Sequence, residues 1–334
     1  MAYTTIDNPE LYFQVKTYTG TGSSQAITLD GSEDMAPDFI WFKNRTSGQS
    51  HCLVDAVRGR KGLFSDDTTA ELTFDATKDF TSFDSDGFTV GIPHQANSFN
   101  YNTGSIVAWC WKESATSGFD IVSFTGNATD DRDISHSLSA VPHFWVTKNT
   151  PDTDSWVTYH HKNTSAPETD FLLLDSTQAT TDNAIVWSSE APTSSVYTVG
   201  NYNSINGNTD AIITYLWRSV QGYSKFGSYE GNGNADGPFV YTGFKPAFIL
   251  GKNTTDAGNH WFIIDAARSP YNGDSKWLKA DDSSAELTNL VNPDFFSNGF
   301  KIRSSDAIYN TSGSTFIYMA FAEAPLVNSN GVPC

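Results

Sequence analysis

The sequence predicts an all-β protein: three tandem β-sandwich repeats, jelly-roll-like, of about 105 residues each, joined by short linkers. Three observations predict it. A proline-led apolar run recurs at Pro37, Pro142 and Pro246, at intervals of 105 (142 − 37) and 104 (246 − 142). A glycine that ends an alternating run recurs at Gly20, Gly126 and Gly231. An aromatic-rich apolar run closes each copy, at 106–112, 212–218 and 316–321. This interval is far longer than a solenoid unit of roughly 20–50 residues and suits a small domain.

Taken in order, residues 1–14 are a lead-in, 15–117, 118–221 and 222–325 are the repeats, and 326–334 a tail. Each repeat opens with alternating apolar and polar residues before its glycine, the pattern of a half-exposed strand entering a turn. The proline-led run follows, as in Phe39-Ile40-Trp41-Phe42 before Lys43-Asn44. Its short, unbroken apolar content favours a strand buried on both faces. A further strand is predicted from Cys52, Trp156 and Trp261. The stretch 283–290 predicts one helical turn at most, because its capping box is incomplete. Asp86-Gly87 and Asn298-Gly299 predict hairpin turns, and the second repeat lacks this glycine. A turn asparagine at Asn102, Asn206 and Asn310 precedes each closing strand.

Composition narrows the function. The chain has 334 residues, with 38 acidic against 20 basic side chains, a formal charge of −18. That charge repels phosphate backbones and argues against a nucleic-acid partner. No apolar run approaches the roughly 18 residues of a membrane helix. The first residues carry neither a basic region nor an apolar core, so no secretory signal is predicted. The three cysteines, Cys52, Cys110 and Cys334, have no framework spacing, which suits synthesis in a reducing cytosol.

Candidate chemistry is sparse. Asp66-Asp67, Asp84 with Asp86, Asp130-Asp131 with Asp133, and Asp281-Asp282 sit in turn-like contexts and read first as solvated turn acids. The group 130–133 offers clustered oxygens to calcium but lacks EF-hand spacing, so no metal is assigned. The seven histidines have no partner at metal-binding or catalytic spacing. No catalytic residue and no cofactor is predicted. Four aromatics near the last turn of each repeat, Phe99, Tyr101, Tyr202 and Tyr309, are the candidate binding residues. Exposed loop rings stack on sugars or anchor protein contacts. The competing reading is that they pack beneath their own loops.

The Tyr-Thr-Gly opening, the Pro-x-Phe-x-x-x-Lys-Asn run, the 81–88 hairpin, the 107–112 closing strand, 222–229 and 317–325 together resemble a repeated β-domain family of tailed-bacteriophage virion proteins. The likeness spans Tyr12 to Pro325. It implies a non-enzymatic structural protein on the virion surface, made in the host cytoplasm, as a tail-fibre or adhesin element or a capsid decoration protein. Implied partners are other virion proteins and host-surface glycan, with a homo-oligomer, a trimer, as the expected assembly. Two other classes remain open: a carbohydrate-binding module and a glycan-degrading enzyme, the last needing two acids facing across a groove.

Overall fold

Each proline-led run becomes the inner strand of a sheet. In the computed structural model, which describes residues 5–96 and 98–325, the first third of the chain sets Phe13–Thr19, Ser105–Trp111, Phe39–Asn44 and Cys52–Asp55 side by side in that order. The second third repeats the order with Phe119–Thr125, Ala211–Trp217, Phe144–Asn149 and Val157–His160, then adds Asp170–Leu173 and Thr181–Asp182. The last third uses Ser224–Glu230, Thr315–Pro325, Phe244–Asn253, Phe262–Asp265 and Leu278–Lys279. These are the opening, closing, central and partner strands of modules one, two and three. All pair antiparallel, so the predicted all-β class is what the structure shows. Register fixes which residues correspond. Phe39, Phe144 and Phe248 lie opposite Trp111, Trp217 and Phe321 on one side. On the other they lie opposite Asp55, His160 and Asp265.

The unbroken apolar runs follow from two-sided burial. Alternate residues of a strand face opposite ways. Phe39, Trp41, Trp109 and Trp111 enter one cluster with Phe144, Val146, Tyr215, Trp217, Phe248, Leu250, Met319 and Phe321. Their neighbours Ile40, Phe42, Ala108 and Cys110 enter a second cluster confined to module one. Modules two and three have local clusters of their own. The molecule therefore has three local cores and one central core that all three main sheets share. The shared core is close-packed, with an apolar void of only ≈ 10 Å³ at its middle. Short linkers keep the modules in contact, and the shared core makes them one body.

Each local core is covered by a smaller sheet. In module one it is Gln25–Thr28, Gly87–Val90 and Phe80–Asp84, and in module three Phe239–Tyr241, Gly299–Lys301 and Asp294–Phe296. The two-residue loops are Ser85-Asp86 and Ser297-Asn298, so each glycine begins the return strand and is not a central turn residue. A Cβ on Gly87 would sit 2.0 Å from the Ile27 carbonyl oxygen, and one on Gly299 2.1 Å from that of Val240. Glycine is required because the third strand presses against it. Module two has no such glycine, and its small sheet has two strands, Arg132–Ser135 and Val196–Val199.

Two other expectations are corrected. Residues 283–290 form no helix, and Leu287 bridges Trp277 instead. Among the described residues the α-helical turns are Asn203–Asn206 and Ala307–Asn310, just before the closing strands. The recurring asparagine of module one is Asn100, since Asn102 is exposed. Asn100, Asn206 and Asn310 are fully buried. Each takes the first amide after the opening strand's glycine, at Thr21, Asn127 and Asn232, at 2.8, 3.0 and 2.7 Å. Each side-chain amide donates to loop carbonyls, among them Gly91, Gly200 and Ser304.

Candidate functional site

The seams between modules carry buried polar ties. Asp55 and Asp265 end their partner strands, and each is closed by a buried arginine three residues on, Arg58 and Arg268, at 2.6 Å. Each also takes a donor from the neighbouring module's closing strand. The Tyr215 hydroxyl donates to Asp55 at 2.7 Å, and the Trp109 indole donates to Asp265 at 2.9 Å. In module two the same positions hold His160 and Asn163, and the facing residue is Met319. His160 accepts the Lys162 amide at Nδ1 and donates from Nε2 to the Tyr318 carbonyl at 3.2 Å. Module one thus meets two, two meets three, and three meets one, which closes a ring.

Acids of the repeats tie loops within each module, and two of the repeats' lysines reach across a seam. Asp66, Asp175 and Asp281 take the amides of His51, Trp156 and Trp261 at 2.7, 2.8 and 2.9 Å. Burial pushes Asp66 up to about 6. Two of the predicted turn acids are therefore structural acceptors. The lysines that end the central strands, Lys43, Lys148 and Lys252, are buried. Lys43 donates to the Ser283 carbonyl of module three at 2.8 Å, and Lys148 to the Thr68 carbonyl of module one at 3.0 Å. Burial pushes all three down to about 8.

Beside this interior each seam has an outer gap, and the three are filled differently. Its equivalent positions are Asp38, Ala56 and Glu113 at the first seam, His143, His161 and Ser219 at the second, and Ala247, Ala266 and Glu323 at the third. The facing opening-strand residues are Ile121, Phe226 and Val15. At the first seam Glu113 accepts the Ile121 amide at 3.1 Å, and Asp38 accepts the Glu113 amide at 2.8 Å. Burial, helped by Asp120, pushes Glu113 up to about 7. At the second seam the His143 and His161 rings lie 4.3 Å apart. Ser219 accepts the Phe226 amide at 3.2 Å, and His161 donates to the Phe226 carbonyl at 3.0 Å. Burial, with His161 and Arg218 nearby, pushes His143 down to about 4.

At the third seam two alanines stand where the imidazoles stood, and the space is a pocket of ≈ 320 Å³. Its floor is Phe13, Ala247, Ala266, Ala322 and Pro270, and its rim carries Glu10, Asp30, Lys245 and Glu323. Glu323 pairs with Lys245 at 2.8 Å and not with the strand opposite. Lys112 donates to the Tyr12 carbonyl and Gly20 to that of Gly104, so even-numbered residues of the opening strand bond the closing strand. Antiparallel alternation then turns the Val15 N–H and C=O toward the free edge, where the pocket lies.

The predicted loop aromatics do not assemble into a site. Phe99 and Tyr309 are fully buried. The turn before the closing strand folds them inward, Phe99 against Phe42 at 4.6 Å and Tyr309 against Phe262 at 4.8 Å. Tyr202 is half-buried, 5.9 Å from Phe171. Tyr101, 45% exposed, lies beyond the inward turn. The oxygens of the unassigned 130–133 group are taken up locally, Asp130 by Ser188 and Asp133 by Thr198. Among the described residues no three His, Cys, Asp or Glu converge as a metal site.

Sequence reasoning missed an exposed aromatic face on module three. Phe239, Tyr241 and Phe296 point outward from its small sheet, with Phe239 and Phe296 6.1 Å apart. Register puts Ala26, Thr28 and Asp84 at these positions in module one. The sheet folds without the rings, so folding does not account for them. His260, 2.9 Å from Asp281, has a plainer explanation. Ser50 and Ser155 bond the equivalent carboxylates, so His260 holds a structural place.

A family model described as Domain of unknown function (DUF7483) matches residues 8–325. The chain belongs to this family. The match covers all three modules, so the unit the family describes is the whole ring. A search of curated proteins finds no match.

Proposed function

We propose that this chain is a non-enzymatic structural protein on the outside of a tailed-phage particle, as a tail-fibre or adhesin element or a capsid decoration protein. The setting comes from the sequence resemblance. The observation that supports a structural role is the ring closure: the shared core and the buried ties at Asp55, His160 and Asp265 hold three sheets as one body. Acids that could have served hydrolysis, Asp66 and Asp281, each give an oxygen to a main-chain amide, and Asp281 gives its other to His260. Antibody against the chain, applied to intact particles, tests the reading. Label on the head supports decoration, label on the tail supports a fibre, and no label on either defeats both. Light scattering reads the proposed trimer: three times the 36.6 kDa chain mass supports it, and a single mass removes it.

A second reading, glycan binding, is favoured by the Phe239, Tyr241 and Phe296 face. Aromatic rings on a sheet surface pack against sugar C–H faces while neighbouring polar groups meet hydroxyls. Glycan-array binding that Phe239→Ser abolishes supports it, and binding unchanged by that substitution removes it.

A further inference from the structure

The third seam carries a site that the repeats themselves calibrate. At the first two seams the opening strand's edge amide is satisfied from within the chain, and at the second its carbonyl is as well. Glu113 or Ser219 accepts the edge amide, and at the second seam His161 donates to the edge carbonyl. At the third seam the equivalent edge belongs to Val15. Ala266 has no donor to offer, and Glu323 is drawn to Lys245. The space left, ≈ 320 Å³, stands where two tilted imidazoles pack at the second seam and opens to solvent.

Its chemistry selects the occupant. Three carboxylates, Glu10, Asp30 and Glu323, stand against one lysine of the rim, Lys245. Lys16 adds a partial offset by pairing with Asp30 at 2.5 Å. The balance is negative, on a chain of charge −18. The Val15 carbonyl needs a donor. The floor is apolar, made of Phe13, Pro270 and alanines, and two of those alanines stand where the planar imidazoles lie at the second seam. A guanidinium meets all three demands. It is planar, permanently charged, rich in donors, and forks onto carboxylates. An ammonium matches the charge and lacks the plane.

We propose that the third seam docks an arginine side chain from a partner protein, in the place the His143–His161 pair fills at the second seam. This rests on the reading of the chain as a structural protein that acts through protein contacts. The arginine's stem lies along the alanine floor. Its guanidinium donates to the Val15 carbonyl and to the carboxylates of the rim. An arginine held this way desolvates a charge-assisted contact at the centre of an interface, where binding energy concentrates.

The test uses the full chain and three capped tripeptides: acetyl-Gly-Arg-Gly-amide, its Lys counterpart and its Glu counterpart. Binding is followed by titration of the Val15 amide resonance. The arginine peptide is expected to saturate the shift, the lysine peptide to bind about tenfold more weakly, and the glutamate peptide not to bind. Glu323→Gln, an exposed substitution, should weaken the arginine peptide about tenfold. The double variant Ala247→His, Ala266→His plugs the pocket with the pair the second seam already carries, and should abolish the shift. An arginine peptide that does not saturate, a glutamate peptide that binds as well, or affinity unchanged in Glu323→Gln would overturn the proposal. Particle labelling is independent of this result. A labelled particle with no peptide binding removes only the docking site, and peptide binding with no labelled particle removes only the virion setting.

Discussion

Modules one and three tie themselves to their neighbours with a carboxylate, and module two does so with a histidine. The difference follows the residue on the far side of the seam. Tyr215 and Trp109 bring an O–H and an N–H to Asp55 and Asp265. Met319, at the equivalent place, brings neither. A buried carboxylate without donors is costly, and its arginine would be stranded with it. Module two has accordingly lost both charges, with His160 and Asn163 in their places. The comparison teaches that these interior polar residues are chosen by hydrogen-bond supply across the seam, which no single module could reveal.

The largest expected effect comes from forcing the wrong solution on module two. His160→Asp places an unpaired carboxylate opposite Met319 and should cost about 3–5 kcal/mol in urea unfolding. Adding Asn163→Arg and Met319→Tyr rebuilds the arrangement of the other seams and should restore part of that loss. No recovery would break the hydrogen-bond account. Next comes the asparagine pair of module one. Asn100→Ala strips a buried residue of its loop bonds and should cost about 2–3 kcal/mol, whereas Asn102→Ala should stay within about 0.5 kcal/mol. Equal losses would return the recurring role to Asn102.

The buried lysines give a smaller effect with a definite sign. Lys148 holds its proton less well folded, at about 8, than unfolded, near 10.5. Between those values the unfolded chain binds more protons, so stability rises with pH across that window. Asp154, Asp175, Asp152 and Asp67 oppose the shift, and burial outweighs them. The rise should be about 1–2 kcal/mol smaller in Lys148→Met, after allowance for screening by solvent. Parallel pH curves for the two proteins would contradict it. The smallest effect belongs to the aromatic face: Phe239→Ser should change stability by about 0.5 kcal/mol or less, because Ala26 stands there in module one.

The period, the strand-forming runs and the two-sided burial of the proline-led runs were readable from residue pattern, because each depends on the local run of apolar residues; the order of strands in each sheet was not. The second copy lacks the hairpin glycine, and its small sheet has two strands where the other two have three. What could not be read depends on contacts between modules. Asn100 was passed over for Asn102 because the arithmetic of a repeat cannot tell which of two nearby asparagines turns inward. Phe99 and Tyr309 looked like loop aromatics because a short turn that folds them under leaves no periodic trace in four residues. The third-seam pocket arises from Ala247 and Ala266, and two alanines carry no signal until His143 and His161 are seen in the same places.

The central claim is that three sheets share one core and stand or fall together. Urea unfolding of the intact chain, followed in parallel by tryptophan fluorescence and far-UV circular dichroism, tests it most directly. One transition, superimposable by both probes, is the expected result. Two or three resolved transitions would show that the modules are stable apart and would contradict it.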